Sequence, residues 1–583
     1  MMLTGDNGIL QRAGEAKVIM DEQQEAEKIQ LSYMAEKTNQ LGKAIQANGL
    51  QEELGKYGEA EVFDNGDGTF YVIYKDSGNC YFVDKNGNAT KSDKSEVISG
   101  VFAIIYSDGT MAFNTTGNTI DGKTVLYKTG DISQTKFETR DDVPWKDHLT
   151  KITTVTFEEE VKPMYTRRWF DKCENLTQIT GIQKLNTKNV KDMHTMFQLC
   201  SKLTTLDLSS FDTKNVKDMA YMFNKCSKLT TLNISGFDTR NVTNMMAMFQ
   251  WCFVLTEIDV SSFDTHNVTN MYCMFNACQK ITSLNVSNFD TSNVTAMNYM
   301  FDRCLKLKSL DVSNFNTSKV TNMERMLSQC ESLKSLNVSN FDTSNVTNMN
   351  EMFYSSTGLT TLDVSNFNTS NVTDMSKMFS LCTGLTTLDV SNFNTSNVTN
   401  MGGMFQLCIG LTTLDVSNFD TSKVTDMSFM FGCGIYNYNP KLQEIKGLEN
   451  FDTSKVTTMQ AMFVHQIQLK ELNLSNFDTR NVTNMKAMFR AVNMEKIYVS
   501  SKWNTSKVTD STDMFGSKTY VGSNGTTYTY EGVEEPLKLT GENGTKWDAD
   551  HIDKEYARID TAVYENGEYV SGDKGYFSVL PEE

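Results

Sequence analysis

Eight cysteines of this 583-residue chain stand in one file: Cys200, Cys226, Cys252, Cys278, Cys304, Cys330, Cys382 and Cys408. A file of thiols can bind metal, form disulfides or fill space. Metal ligation needs clustered ligands with convergent geometry, such as a C-x2-C pair, and the sequence has none. Disulfides between successive units fit the even spacing, but Ser356 replaces a cysteine in mid-file with no change of spacing. The favoured reading is a row of buried, unpaired thiols that pack as small apolar groups. Such a row says little about redox compartment.

Other chemistries fare no better. A glycosidase needs two carboxylates about 5 to 10 Å apart in a cleft. Here Asp and Asn interchange at the same recurring position, as at Asp342, Asn368 and Asn394, which a catalytic acid would not tolerate. The five His are scattered and no nucleophile motif occurs, so no catalytic residue, metal site or cofactor is expected. Asp84-Lys85-Asn86-Gly87-Asn88 begins like a calcium loop. Its sixth position is Ala89, where the loop needs Gly, and its twelfth is Ser95 in place of Glu, so it reads as a hairpin turn. The side chains that vary within the recurring pattern are aromatic: Tyr221, Trp251, Tyr272 and Tyr299. With Tyr436 and Tyr438 in an inserted segment they are the candidate ligand contacts, although lone exposed aromatics are ordinary. The rows Thr361, Asp363, Ser365 and Thr387, Asp389, Ser391 would suit a repeating polymer or simply a solvated sheet.

The elements that carry these residues are repeats. Phe211, Phe237, Phe263, Phe289, Phe315, Phe341, Phe367, Phe393 and Phe419 follow each other at 26 residues. After a longer step of 32 the series resumes at Phe451, Phe477 and Trp503, and Leu185 stands one period upstream. A fixed period of this size predicts a solenoid, since one unit cannot bury its own apolar face. Within the unit at Phe367, the residues Met375, Met378, Phe379 and Cys382 follow i, i+3, i+4, i+7 spacing. That predicts a short helix with Thr373 as its N-cap. Leu388 and Val390 alternate with Asp389 and Ser391, which predicts a strand. The expected fold is therefore an α/β solenoid, leucine-rich-repeat-like, with one parallel strand and one short helix per turn. Thirteen turns at about 4.8 Å give a sheet roughly 60 Å long. The recurring Met pairs lie on the same stripe as the Phe and read as core.

Composition limits the partners. A net charge of -18 with a sequence pI near 4.9 argues against nucleic acid and against docking on an anionic membrane. Only five Pro and a hydrophobic fraction of 39% argue for a folded chain. No run of about 18 apolar residues would span a bilayer. The expected organisation is an N-terminal helix over 1–56, starting near residue 10 and continuing to about 55. A small β-hairpin region over 57–97 and a β-rich N-terminal cap over 98–184 follow. The repeats occupy 185–515 and a C-terminal cap 516–583. The extra six residues around Gly434 to Pro440 predict a protruding loop.

The motif from Asn366 to Met375 and from Leu385 to Ser391 resembles the 26-residue repeat of BspA-like bacterial surface proteins. So do the entry segment Val143-Pro144-Trp145 with Trp169-Phe170 and Cys173, and the tail from Gly522 to Tyr528 with His551 to Asp560. The insertion Tyr530 to Thr545 departs from that family's tail. Leu3 to Leu10, followed by a helix rich in Ala, Glu and Lys, resembles the stretch after the membrane helix of Gram-positive pilin-like proteins. Together the resemblances imply an extracellular, non-enzymatic surface protein that adheres to a protein or glycan ligand. Its only membrane contact would be through an N-terminal hydrophobic helix absent from this chain. A passive spacer or pilus-associated subunit is the alternative, and a glycan-active enzyme a minor one.

Overall fold

The computed structural model of the chain describes residues 5–39, 45, 47–64, 68–92, 100–434, 438–516, 519–521, 527–529 and 539–581. Its contacts form two compact units. One consists of Met1–Trp169, Gln178–Met193 and Phe211–Asn215, the other of Phe170–Thr177, His194–Ser210 and Val216–Glu583.

The first unit opens with helix α1 (Gly5–Asn39) and the short α2 (Ala47–Leu54). The single helix expected to about residue 55 is thus corrected to two. The reason lies in the core: Leu50 and Leu54 of α2 pack in one cluster with Ile29 and Tyr33 of α1. One straight helix would hold those pairs about 30 Å apart. The same cluster takes Phe70, Val72, Tyr81 and Val83 from a four-stranded antiparallel sheet. Its strands are β1 (Ala60–Asp64), β2 (Phe70–Tyr74), β3 (Cys80–Val83) and β4 (Ala89–Ser92). Between β3 and β4, Asp84 Oδ1 accepts the amides of Asn86 and Asn88 at 2.8 and 2.9 Å, an Asx turn.

A five-stranded sheet follows, built from β5 (Phe102–Tyr106), β6 (Thr110–Asn114), β7 (Val125–Lys128), β8 (Thr154–Phe157) and β9 (Gln178–Thr180). Its order is β7-β5-β6-β8-β9, with β6, β8 and β9 parallel. Phe113 is stacked between Trp169 at 4.8 Å and Phe157 at 5.0 Å, and Trp145 donates its indole N–H to the Trp169 carbonyl at 3.1 Å.

The second unit is a repeat fold. Counting each repeat from its aromatic residue, Phe367 is position 1 and Asn392 position 26. The segment expected as a short helix is not one. Odd-numbered amides leave the repeat: Met375, Lys377, Phe379 and Leu381 donate to the carbonyls of Asn400, Gly402, Met404 and Gln406 in the next repeat, at 3.1, 2.9, 3.0 and 2.8 Å. Even-numbered amides stay: Met378, Ser380 and Cys382 donate three residues back at 3.2, 3.0 and 3.1 Å. The outcome is a ribbon of consecutive turns at positions 8–16. It requires left-handed backbone at positions 11 and 15, as at Lys377 (φ 54) and Leu381 (φ 62). Twenty-three non-glycine residues between Thr195 and Asp513 adopt that conformation, with φ from 51 to 63. Each costs about 1–2 kcal/mol on its own, and the hydrogen bonds to the neighbouring repeat offset it. The i, i+3, i+4, i+7 stripe is real as burial, since Met375, Met378, Phe379 and Cys382 are fully buried, but turns rather than a helix deliver it. Thr373 caps nothing. Its amide and its hydroxyl both donate to the Thr347 carbonyl, at 2.8 and 3.1 Å.

The expected strand is also corrected. Positions 21–23 pair only two at a time: β10 (Thr205–Asp207) with β11 (Thr231–Asn233), β12 (Ser283–Leu284) with β13 (Ser309–Leu310), β14 (Thr413–Asp415) with β15 (Glu444–Lys446), and β16 (Glu471–Asn473) with β17 (Lys496–Tyr498). All four pairs are parallel, but strands of two or three residues are too short to sustain one sheet. The longer parallel file runs instead through position 8, bridging Asn322, Asn348, Asp374, Asn400, Asp426, Thr458, Asn484 and Asp510 in succession. Two antiparallel pairs close the chain, β18 (Thr519–Val521) with β19 (Thr527–Thr529) and β20 (Val563–Glu565) with β21 (Glu568–Ser571). Residues 522–526 of the tail and 530–538 of the insertion lie outside the described residues.

Side chains stack in register along the repeats. The position-13 rings of Phe223, Phe249, Phe275 and Phe301 lie parallel at 5.5 to 5.8 Å, and Leu327 interrupts the file before Phe353 and Phe379 resume it. All twelve cysteines are free and buried. The Cys304 thiol donates to the Phe275 carbonyl of the preceding repeat at 3.4 Å, and Ser356 does the same to Leu327 at 2.8 Å. The Ser-for-Cys exchange in mid-file therefore keeps the donor. Asp and Asn exchange for a similar reason. At positions 2, 8 and 23 the side-chain oxygen accepts the amide two residues on, as Asn368, Asp374 and Asp389 do for Ser370, Ser376 and Ser391. Either residue type supplies that oxygen. The longer step leaves this register intact: Thr421 still donates to the Asp452 carbonyl at 3.0 Å, 31 residues away. In the inserted segment Tyr438 is half-buried and Pro440 buried, whereas Tyr436 lies outside the described residues.

Two predictions follow from these ladders. Burial holds the Cys278 and Cys330 thiols well above their ordinary pKa and pushes Cys304 up to about 12. All three should resist a thiol reagent until the protein is unfolded by guanidinium chloride. Cys304→Ser should be close to neutral, whereas Cys304→Ala should cost about 1 kcal/mol by removing one hydrogen bond from the Phe275 carbonyl, which still accepts the Cys278 amide at 3.1 Å, measured as chemical-denaturation midpoints. The second concerns acid. Hydrogen bonds from the hydroxyls and amides of Ser365, Ser391 and Ser417 hold Asp363, Asp389 and Asp415 below the ordinary carboxylate value. A depressed folded pKa contributes stability above the unfolded value of about 3.9, lost as pH falls through the folded pKa. Changing all three to Asn, which holds the same turn at Asn285 and Asn337, should flatten the fall of Tm below about pH 4 and leave Tm at neutral pH nearly unchanged.

Candidate interaction surface

The turn ribbon displays the residues that differ between repeats. Positions 9, 12, 13 and 16 face inward, while positions 10, 11, 14 and 15 carry the variable side chains. The left-handed residues at 11 and 15 sit at the corners of the turns, so successive repeats bring them into files. Position-10 rings pack against the first file: His194 meets Tyr221 edge-on with ring centroids 5.8 Å apart, and Tyr272 meets Tyr299 at 5.8 Å. The Arg325 guanidinium lies 5.7 Å from the Tyr299 ring, and the Tyr299 hydroxyl donates to Glu324. Arg325 also pairs at 2.5 Å with the buried Glu351, which Lys377 approaches at 3.6 Å.

Along the second file, Trp251 is 36% exposed. Lys225 stands 4.4 Å over its ring and its indole N–H donates to Asn276 Oδ1 at 3.1 Å. Beneath it runs a line of amides. Gln198, Asn224, Gln250 and Asn276 each donate to the next, at 3.0, 2.8, 3.0 and 2.8 Å, ending on the buried carboxylate of Asp302. Burial raises the Asp302 pKa, and pushes the Tyr272 hydroxyl and the neighbouring Cys273 thiol each up to about 12.

Tyr221, Trp251, Tyr272 and Tyr299 thus stand on one ribbon face, the three tyrosines half-buried. Tyr438 belongs to the inserted segment and takes part in none of the ring and cation contacts above. His194, Lys225, Arg325, Glu351 and Lys377 were not singled out by the sequence, although they occupy the same repeat offsets as the aromatics. Cation-bearing aromatic surface of this kind suits contact with a partner, where Tyr, Trp and Arg dominate binding energy. It holds no arrangement of nucleophile and base.

The strand positions make a second surface, a depression of about 590 Å³ lined by Thr361, Thr387 and Thr413 with Asp363, Asp389 and Asp415. Among the described residues no group of three or more His, Cys, Asp or Glu could hold a metal ion. No described helix is long and apolar enough to cross a membrane.

Nothing among curated proteins matches the chain. Two solved structures overlay weakly over most of its length. One is a leucine-rich repeat protein from Eubacterium ventriosum ATCC 27560, at 16% identity over 74% of this chain and 98% of that one, with a TM-score of 0.27. The other is a leucine rich cell surface protein from Faecalibacterium prausnitzii A2-165, at 14% identity over 72% and 93%, with a TM-score of 0.21. The repeat sequence itself matches one family over residues 164–283, 251–362, 359–444 and 435–539, which together span well over half of the chain. The chain therefore belongs to the DUF285 family, described as "Mycoplasma protein of unknown function, DUF285".

Proposed function

We propose that this chain is a non-enzymatic bacterial surface protein whose stacked repeats form a leucine-rich-type solenoid that displays a recognition face to an extracellular ligand. One observation carries the reading. Within a repeat whose remaining positions are nearly uniform, Tyr221, Trp251, Tyr299 and Arg325 gather on the ribbon face at the corners of the turns, with Tyr272 beside Tyr299. A chain selected only as a spacer has no use for aromatic and cationic side chains at those corners. The resemblance of the repeat to BspA-like surface proteins supports the extracellular setting. In this reading α1, which resembles the segment after the membrane helix of pilin-like proteins, marks the attachment end.

The test is adhesion. Purified chain immobilised on beads is challenged with host epithelial cells and with bacterial cells, and bound cells are counted. Trp251→Ala combined with Tyr272→Ala should reduce binding at least tenfold, since two anchors of this type are worth over about 1 kcal/mol each, with Tm shifted by only a few degrees. Binding to no cell type, or binding unchanged by the double variant, would leave the chain a passive spacer.

A further inference from the structure

The ribbon face has one gap. Gly402 and Gly403 occupy positions 10 and 11 of the repeat that starts at Phe393, and among the described repeats only this one lacks both side chains. The result is a notch of about 320 Å³, lined by Asn350, Lys377, Asn400, Gln406, Asp426 and Phe429. Phe429 forms its aromatic wall and is held in place by packing on the cluster of Ala461 and Val464.

Polar atoms around the notch are unused. Asn400 Oδ1 accepts the Gly402 amide at 3.0 Å, but its Nδ2 bonds no described protein group. The equivalent Nδ2 of Asn348 and Asn484 donates to position 10 of the preceding repeat, Glu324 and Gln460, at 3.5 and 3.1 Å; for Asn400 that position is Ser376, whose hydroxyl is engaged by Asp374 and Asn350. Asp426 Oδ1 accepts the Ser428 amide at 2.7 Å. The Asp426 carboxylate borders the missing side chain: its Cγ and Oδ1 lie 3.3 Å from where a Cβ of Gly402 would stand. Gln406 Oε1 accepts the Ser380 hydroxyl at 3.4 Å. Its Nε2 would continue a line of amides like that from Gln198 to Asp302, but the next residue in line is Gly432. Two amide-bearing residues and one carboxylate therefore line a cavity with one aromatic wall.

That combination selects hydroxyl groups. A hydroxyl both donates and accepts, so adjacent hydroxyls on a ring can satisfy a carboxylate and two amides together. The C–H face of such a ring is apolar and fits against Phe429. The Asp426 carboxylate disfavours an anionic occupant, and the Lys377 cation is already drawn to Glu351 at 3.6 Å. The volume is at the lower end of the roughly 300–1,000 Å³ of small-molecule sites, enough for one ring. We propose that the notch at Gly402–Gly403 is a binding subsite for a single neutral pyranose unit of a glycan. The inference rests on the recognition reading only in that a surface ligand supplies the sugar.

Saturation-transfer NMR on the full chain, with the methyl glycosides of glucose, galactose, mannose and N-acetylglucosamine as probes, tests it. At least one glycoside should show transfer to its ring protons. Gly403→Tyr should abolish that signal, because it puts at φ 63 the side chain that Tyr299 already carries at φ 62. Asp426→Asn keeps the turn that Asn400 makes and removes only the acceptor, so it should weaken binding at least fivefold. This second variant decides the matter if Gly403→Tyr does not fold, as judged by its melting curve. Transfer to none of the four, or transfer that survives both substitutions, overturns the subsite. Cell adhesion that persists in either variant leaves the broader recognition reading standing, whereas loss of adhesion through Trp251 and Tyr272 alone leaves the subsite standing.

Discussion

The repeat depends on where its backbone amides go. A buried amide without an acceptor costs more than most side-chain contacts return. In a helix every amide would bond within its own segment and leave nothing for the neighbouring repeat. Here alternate amides are divided, one closing a turn and the next crossing to the following repeat. That division dictates the left-handed corners, and the corners dictate which side chains face out. Residues as unsuited to that conformation as Thr195, Tyr221 and Trp251 accept it because the crossing hydrogen bonds form only there.

Side chains repeat the same economy. Thr373 adds a second donor to a carbonyl its own amide already uses, and Thr369 donates to the Asn394 carbonyl at 3.0 Å. Asn392 donates to the Val364 and Ser365 carbonyls of the preceding repeat and to the Phe367 carbonyl of its own. These short polar groups replace the sheet hydrogen bonds that strands of two or three residues cannot supply. Apolar burial by the Met pairs and the Phe stack then acts on a backbone already in register. The side chains that vary between repeats are left to the positions of the ribbon that do not point inward.

Much of this was legible in the sequence, and the failures have a physical pattern. Burial periodicity placed Met375, Met378, Phe379 and Cys382 correctly in the core, because apolar spacing reports which side faces in. It could not say that turns would deliver them, since a run of i→i+3 turns and a helix bury similar offsets. The interchange of Asp and Asn at one recurring position was plain in the sequence. Its cause, a shared oxygen acceptor at three turns per repeat, becomes visible only once Ser370, Ser376 and Ser391 are seen to donate. The aromatic candidates stood out by type. Arg325, Glu351 and Lys377 did not, because charged residues on a surface are ordinary until their neighbours are known. The notch at Gly402–Gly403 was least legible of all, since two glycines announce flexibility more readily than a cavity.

The 32-residue step between Phe419 and Phe451 has a bearing on how the chain finds its fold. Repeats starting at Phe341, Phe367 and Phe393 are close to interchangeable along their bonding positions. A chain collapsing through them can skip one unit and still match Thr to Thr and Phe to Phe, the misassembly to which repeat proteins are prone. Such a slip costs nothing until it meets a unit of different length. At the long step the connection between successive turns spans 31 residues instead of 25, so a displaced array leaves six residues surplus on one side and six short on the other. The irregular unit thus acts as a proofreading mark: it penalises every alignment but one, and it does so from within an array whose uniform members cannot tell themselves apart.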